Sequence, residues 1–402
     1  MPRILAYLIP LTLALGAGVA HAQARAVEDL EPSGSFVLRW GPARCWEERP
    51  DALRSVRCVT QGRAEPVFVA SHEPYAPPID LRRHLLEVWL RIDDVKQLGA
   101  LELRVSSDNF ESSYFAFQVP LYGDPEFNYL QDRMWARYTF SFGSARVYGQ
   151  PDPARINATG WLVQDKGTGG VDVTWSPVSA WRTLERGAVS ITFDDGDADQ
   201  FEAVKAMARH DFKGTAYIIP SLVGAPAYLS LEQLELMRDR YHWEIAGHHE
   251  IPLTQLREDH LDRALLGVQR FLNAHGFRGG AAHFAYPLGK IDAGPALAMA
   301  RKYFQTARLA GSGPETLPPA DPHRLRVRNV SNVTSPEEIA TAARSAYAHG
   351  DWLILMFHHL RAPADTALDY DPAQFDRLLD LLARDRIRPE TVGEVWERLR
   401  RR

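Results

Sequence analysis

The sequence predicts two folds in succession, an all-β sandwich or jelly roll over residues 30–182 and an α/β barrel over 187–400. Three observations predict them. Residues 35–181 alternate apolar and polar with period two and hold no helical stretch. From Gly187 onward, short apolar strands alternate with helical patterns, which implies a parallel sheet closed or nearly closed into a barrel. The length of 402 residues also exceeds one typical core.

At the start, Arg3 precedes the apolar run Ile4 to Ala20, and Ala20-His21-Ala22 has the small-x-small form of a processing site. Residues 1–22 therefore read as a signal peptide removed on export, periplasmic or secreted; a retained N-terminal anchor is the alternative. No later segment is long and apolar enough to span a bilayer. Cys45 and Cys58 are the only cysteines, and an oxidising compartment would let them bridge. A net charge of -5 leaves no electrostatic footprint for nucleic acid.

In the first half, Leu86, Val88, Leu90 and Ile92 fall on one face of a strand, with Glu87, Trp89 and Arg91 on the other. Leu101 to Val105, Phe115 to Val119 and Tyr138 to Phe142 repeat the pattern, separated by turn-rich pieces. Exposed aromatics such as Trp89 either hold sugar or belong to a structural face. In the second half, strands are expected at 189–193, 215–219, 243–246, 283–286, 305–307, 325–330 and 352–357. Helices are expected at 201–209, 261–274, 336–348 and 375–383, and one after a Ser230/Gln233 capping box.

In a barrel of parallel strands, chemistry sits just past the C-terminal strand ends. Asp194-Asp195-Gly196, Gly247-His248-His249-Glu250, Tyr286-Pro287 and His358-His359 all fall there. Adjacent Asp194 and Asp195 would project differently, one toward a cation and one toward a water. His248 and His249 suit a borderline divalent ion such as zinc, with Asp195 as oxygen ligand. Read singly, the Asp pair is a turn, the histidines are loop residues and His358 is a core histidine.

Thr192-Phe193-Asp194-Asp195-Gly196 resembles the first motif of the polysaccharide deacetylase family, the NodB-like carbohydrate esterases of family 4 type. Phe284-Ala285-Tyr286-Pro287-Leu288-Gly289-Lys290 is similar to its third motif, Trp352 to Leu360 to its last, and Thr391-Val392-Gly393-Glu394-Val395 to the stretch that often follows. The resemblance covers 187 to about 399, and residues 35–180 more weakly resemble a jelly-roll-like module found ahead of some members. It implies the irregular (β/α) barrel of the polysaccharide deacetylase type and the hydrolysis of acetyl groups, N-acetyl of hexosamines before O-acetyl esters, from a polysaccharide or oligosaccharide. Asp194 would be the base and His358 the acid. A zinc-like ion on Asp195 and His248 would carry the attacking water, and the ion would share the oxyanion with a backbone N–H near Tyr286 or Pro287. Three departures stand out. Pro252 occupies the place of the second-motif histidine, leaving His249 or Glu250 to supply a third ligand. The usual third-motif arginine corresponds to Ala285 and the usual tyrosine to Leu288. The tryptophan-bearing fourth motif has no good equivalent. The alternative is a catalytically degenerate carbohydrate-binding or exopolysaccharide assembly protein that retains the fold. A glycoside hydrolase is disfavoured because adjacent aspartates cannot flank a glycosidic bond.

Overall fold

A computed structural model describes residues 28–29, 36–49, 54–292 and 294–401. The signal-peptide reading of 1–22 lies outside them. Two antiparallel sheets form the N-terminal half. One runs, in spatial order, Arg146–Tyr148, Tyr114–Gln118, Leu98–Ser106, Ala158–Asp165, Val67–Ser71, Phe36–Trp40. The other has seven strands, with Ala136–Ser141 and Asp172–Trp175 both paired to His84–Ile92. Period-two alternation gives each sheet one apolar face, and the two faces bury each other. Trp161 lies 5.5 Å from Trp175 and Phe117 lies 5.8 Å from Phe140, ring to ring across that core. Cys45 and Cys58 stand opposite each other on adjacent strands and form a disulfide.

The C-terminal half is a closed barrel of seven parallel strands: Ala188–Asp195, Thr215–Ile218, Glu244–Gly247, His283–Ala285, Thr306–Ser312, Leu325–Asn329 and Asp351–Phe357. The last pairs back onto the first, Phe357 opposite Phe193. Their near-continuous aliphatic runs suit strands covered on both sides. The sequence reading missed the helix Pro295–Tyr303, which starts on a proline beside Gly294.

The expected Ser230 capping box is present: Ser230 Oγ accepts from Gln233 N, and the Gln233 side chain returns to Ser230 N at 2.8 Å. A second box, Thr391 with Glu394, starts Val392–Arg400 and seats that helix under the barrel. There Gly393 N donates to Glu244 Oε2 at 3.0 Å. A Cβ on Gly393 would stand 2.1 Å from Glu244 Oε1, so this approach requires glycine.

The two halves share a buried polar seam. Arg326 donates to Thr139 O at 2.9 Å and to Thr139 Oγ1 at 3.0 Å while ion-paired to Glu315. Thr139 Oγ1 lies 2.7 Å from Thr316 Oγ1, and Ser141 Oγ donates to Asp351 Oδ2 at 2.7 Å. Both sheet residues stand on Ala136–Ser141, the strand whose other face enters the sandwich core.

Candidate functional site

The first strand ends in two aspartates with different fates. Asp194 stays inside the barrel, 4% exposed. Asp195 adopts φ +71°, a left-handed conformation that short polar side chains tolerate, and its carboxylate turns out to the rim. On the third strand's end, His248 is buried and its Nδ1 donates to Ala285 O at 2.7 Å. That bond fixes the tautomer and leaves the Nε2 lone pair outward, 3.3 Å from Asp195 Oδ1. Burial would raise the Asp195 pKa, but when His248 takes a second proton on Nε2, its hydrogen bond and charge override burial and hold the carboxyl below its usual range.

A ring nitrogen fixed by a backbone carbonyl and facing a carboxylate is a donor set that fits a divalent cation. Among the described residues, however, no three His, Cys, Asp or Glu side chains gather as a ligand set. His249, expected as a ligand beside His248, does not join the pair. Its Nδ1 accepts Ile251 N at 3.1 Å within its own loop, which closes at Pro252. Glu250 is exposed on the same loop.

Asp194 has a partner that the sequence reading missed. Arg308, wholly buried in the fifth strand, forms an ion pair with Asp194 Oδ1, and its guanidinium stacks 4.5 Å from the Tyr217 ring. Burial lowers the Arg308 pKa to about 9, which still leaves it charged at neutral pH beside the Asp194 carboxylate. In the ladder, Arg308 stands directly opposite Ala285, the position of the usual third-motif arginine. A charge inside an otherwise apolar run, Ala307-Arg308-Leu309, was the available signal.

Gln200, also missed, is fully buried at the start of the first helix, Gln200–Ala208. Its Nε2 donates to Asp194 O at 2.5 Å and His358 O at 3.1 Å, tying the ends of the first and last strands together. His358 follows the seventh strand, with Nδ1 buried and without a hydrogen-bond partner among the described residues. Burial pushes its pKa down to about 4, so the ring is neutral at pH 7, against the pull of Asp195. His359 next to it faces Asp197 and Asp199, 3.4 and 3.3 Å from its Nδ1. Burial, with Asp195 and Asp199 nearby, raises Asp197 to about 6.

Tyr286 and Pro287, expected to touch substrate, are both buried, and the Tyr286 phenol and amide are engaged within the protein. The Tyr286 phenol is buried and donates to His323 O at 3.0 Å, and its N–H donates to Arg308 O at 3.0 Å. Pro287 has no N–H. The turn that follows uses Gly289 N on Tyr286 O and Lys290 N on Pro287 O. Leu288 between them, at φ +54° and 64% exposed, presents its amide outside those bonds.

Residues 182–306 match the family model described as polysaccharide deacetylase. Among solved structures, the family 4 carbohydrate esterase from Streptomyces lividans in complex with acetate aligns over 50% of this chain and 89% of its own, at 18% identity and TM-score 0.37. Peptidoglycan deacetylase PdaC from Bacillus subtilis aligns over 54% and 92%, at 15% identity and TM-score 0.35. The Xyl-CE4 domain of a multidomain xylanase, from the hindgut metagenome of Trinervitermes trinervoides, aligns over 53% and 91%, at 14% identity and TM-score 0.37. No curated protein matches the sequence.

Proposed function

We propose, from the match of residues 182–306 to the polysaccharide deacetylase family model, that the barrel hydrolyses acetyl groups, N-acetyl of hexosamine units first and O-acetyl esters second. The observation that carries the reading is a buried Asp194–Arg308 ion pair beside an outward Asp195–His248 pair on one rim. A divalent ion, zinc by the character of its donors, would be held by Asp195 and His248 and would polarise the acetyl carbonyl.

The chain's own groups divide the remaining work. Asp194, ion-paired to Arg308, takes the proton of the attacking water. The Leu288 amide donates to the carbonyl oxygen as it gains charge. His358, neutral in the resting site and with its Nδ1 buried without a partner among the described residues, relays a proton: it takes one from solvent as the adduct forms, gives it to the departing amine or alcohol, and returns to the neutral ring. Gln200 holds the two strand ends that carry base and acid. We read the substrate as a polysaccharide met after export, 1–22 as the export signal, 30–182 as a jelly-roll module and 187–400 as the catalytic domain. Among the described residues no helix is long and apolar enough to cross a membrane.

The experiment is metal content together with acetate release from partly acetylated glucosamine oligomers, on intact protein and Asp195→Ala. A bound divalent ion and acetate release, both lost in the variant, are expected. Neither from the intact protein would sink the reading and leave a barrel that holds glycan without turning it over.

A further inference from the structure

The outer face of the six-stranded sheet, turned away from the sandwich core, carries five aromatic rings in unbroken contact. Trp40 stacks on Phe68 at 5.6 Å and 29°, and Phe68 meets Phe110 edge-on at 5.1 Å. Phe110 lies 6.3 Å from Tyr114, and Tyr114 stacks on Tyr148 at 4.7 Å and 20°. Phe36–Trp40 and Arg146–Tyr148 are the two edge strands, so the row crosses the whole sheet, roughly 24 Å at ordinary strand spacing. Trp40 and Tyr148 are 45% and 41% exposed, and each has a single neighbour in the row, which leaves one ring face open.

The backbone is shaped around these rings. A Cβ on Gly160 would stand 2.7 Å from the Phe68 ring, so glycine lets Phe68 lie across that strand. Ala70 and Ala116 keep the floor low on either side. Asn109 and Phe110 take φ +55° and +65°, an uncommon pair of left-handed residues and a strained one for a bulky ring. Asn157 Oδ1 accepts Asn109 N at 3.0 Å and Ser106 Oγ accepts Phe110 N at 2.9 Å, which holds the strained ring in the row.

Polar groups lie among the rings. Glu102 is paired to Arg104 at 2.6 Å and to Arg146 at 2.8 Å, and Arg146 also donates to Gln118 Oε1 at 3.0 Å. The Arg104 guanidinium sits 4.6 Å from the Tyr114 ring. Two guanidiniums face one carboxylate, so the surface keeps a surplus positive charge, with the Arg146 side chain 55% exposed. A wholly apolar partner would strip water from that charge, and a cationic one would be repelled. A sugar chain meets both requirements: its C–H faces lie on aromatic rings, and its oxygens accept from guanidinium and amide.

We propose that this face binds a pyranose chain, with sugar faces on Trp40 and Tyr148 and hydroxyl or carboxylate oxygens on Arg146 and Gln118. The site is separate from the barrel rim and goes beyond the acetyl chemistry proposed for it. Trp89, on the other sheet, is 40% exposed but has no aromatic neighbour among the described residues, and it carries no such row.

The test is migration of the full-length protein in native gels containing glycol chitin or polygalacturonate, read against a polysaccharide-free gel. Trp40→Ala, Tyr148→Ala, the double variant and Trp89→Ala are run beside it. Circular dichroism confirms folding, since all three positions are exposed. Retardation of the intact protein and of Trp89→Ala is expected in at least one of the two gels. Each single loss in the row should weaken binding about tenfold, and the double variant should run freely. Binding is read directly, so the outcome does not depend on acetate release. Free migration of the intact protein in both gels would overturn the proposal, as would equal retardation of the double variant. A dimer of the intact protein that the double variant loses would also overturn it, by showing the face to be covered by a second copy.

Discussion

Arg308 stands opposite Ala285 in the ladder between the fourth and fifth barrel strands, and its guanidinium reaches Asp194. The arginine that the resemblance places at position 285 is thus supplied one strand over. Arg308→Met should leave a buried carboxylate unpaired, costing about 3–5 kcal/mol in urea unfolding and abolishing acetate release. Ala285→Arg combined with Arg308→Ala should recover part of both. Stability unchanged in Arg308→Met would mean that Asp194 does not depend on this partner.

The cation pair predicts a separation of effects. Asp195→Ala and His248→Ala should each remove bound divalent ion, measured by elemental analysis after dialysis. Asp194→Asn should keep it while losing acetate release. An ion retained in both Asp195→Ala and His248→Ala would place it elsewhere.

His358→Ala should slow acetate release by about 10²–10⁴-fold without loss of ion, the usual range for removing a proton-transfer group. A tenfold or smaller effect in single-turnover kinetics would assign the proton donation to another group.

Asp351, buried at the seam, is raised by burial from the ordinary 3.8 to about 6. Between those values the folded protein binds the proton and the unfolded chain does not. This contribution to stability is therefore present below about pH 4 and lost as pH rises through 6. Asp351→Asn should remove it, so wild type should lose about 3 kcal/mol relative to the variant between pH 4 and 7. Parallel stability curves across that range would show that Asp351 does not titrate there.

The rim was legible because a barrel places polar residues directly after apolar runs, as at Asp194-Asp195, His248 and His358. The partners that hold them were not. Arg308 and Gln200 reach Asp194 only through strand register and a helix start, neither of which leaves a local pattern. His248 and His249 are equivalent as text; the carbonyl of Ala285 selects one and the turn at Ile251 retains the other. The aromatic row was hidden for the same reason, since Trp40, Phe68, Phe110, Tyr114 and Tyr148 come from separate segments and meet only across the sheet. Trp89 drew notice by its alternation alone.

The seam of Thr139, Arg326, Glu315, Ser141 and Asp351 bears on the exchange of modules. A barrel without these sheets would keep the Arg326–Glu315 pair but would lose the partners that Arg326 and Asp351 find in Thr139 and Ser141. Exchange of either half for a foreign module would therefore leave buried polar groups at this junction to find new partners.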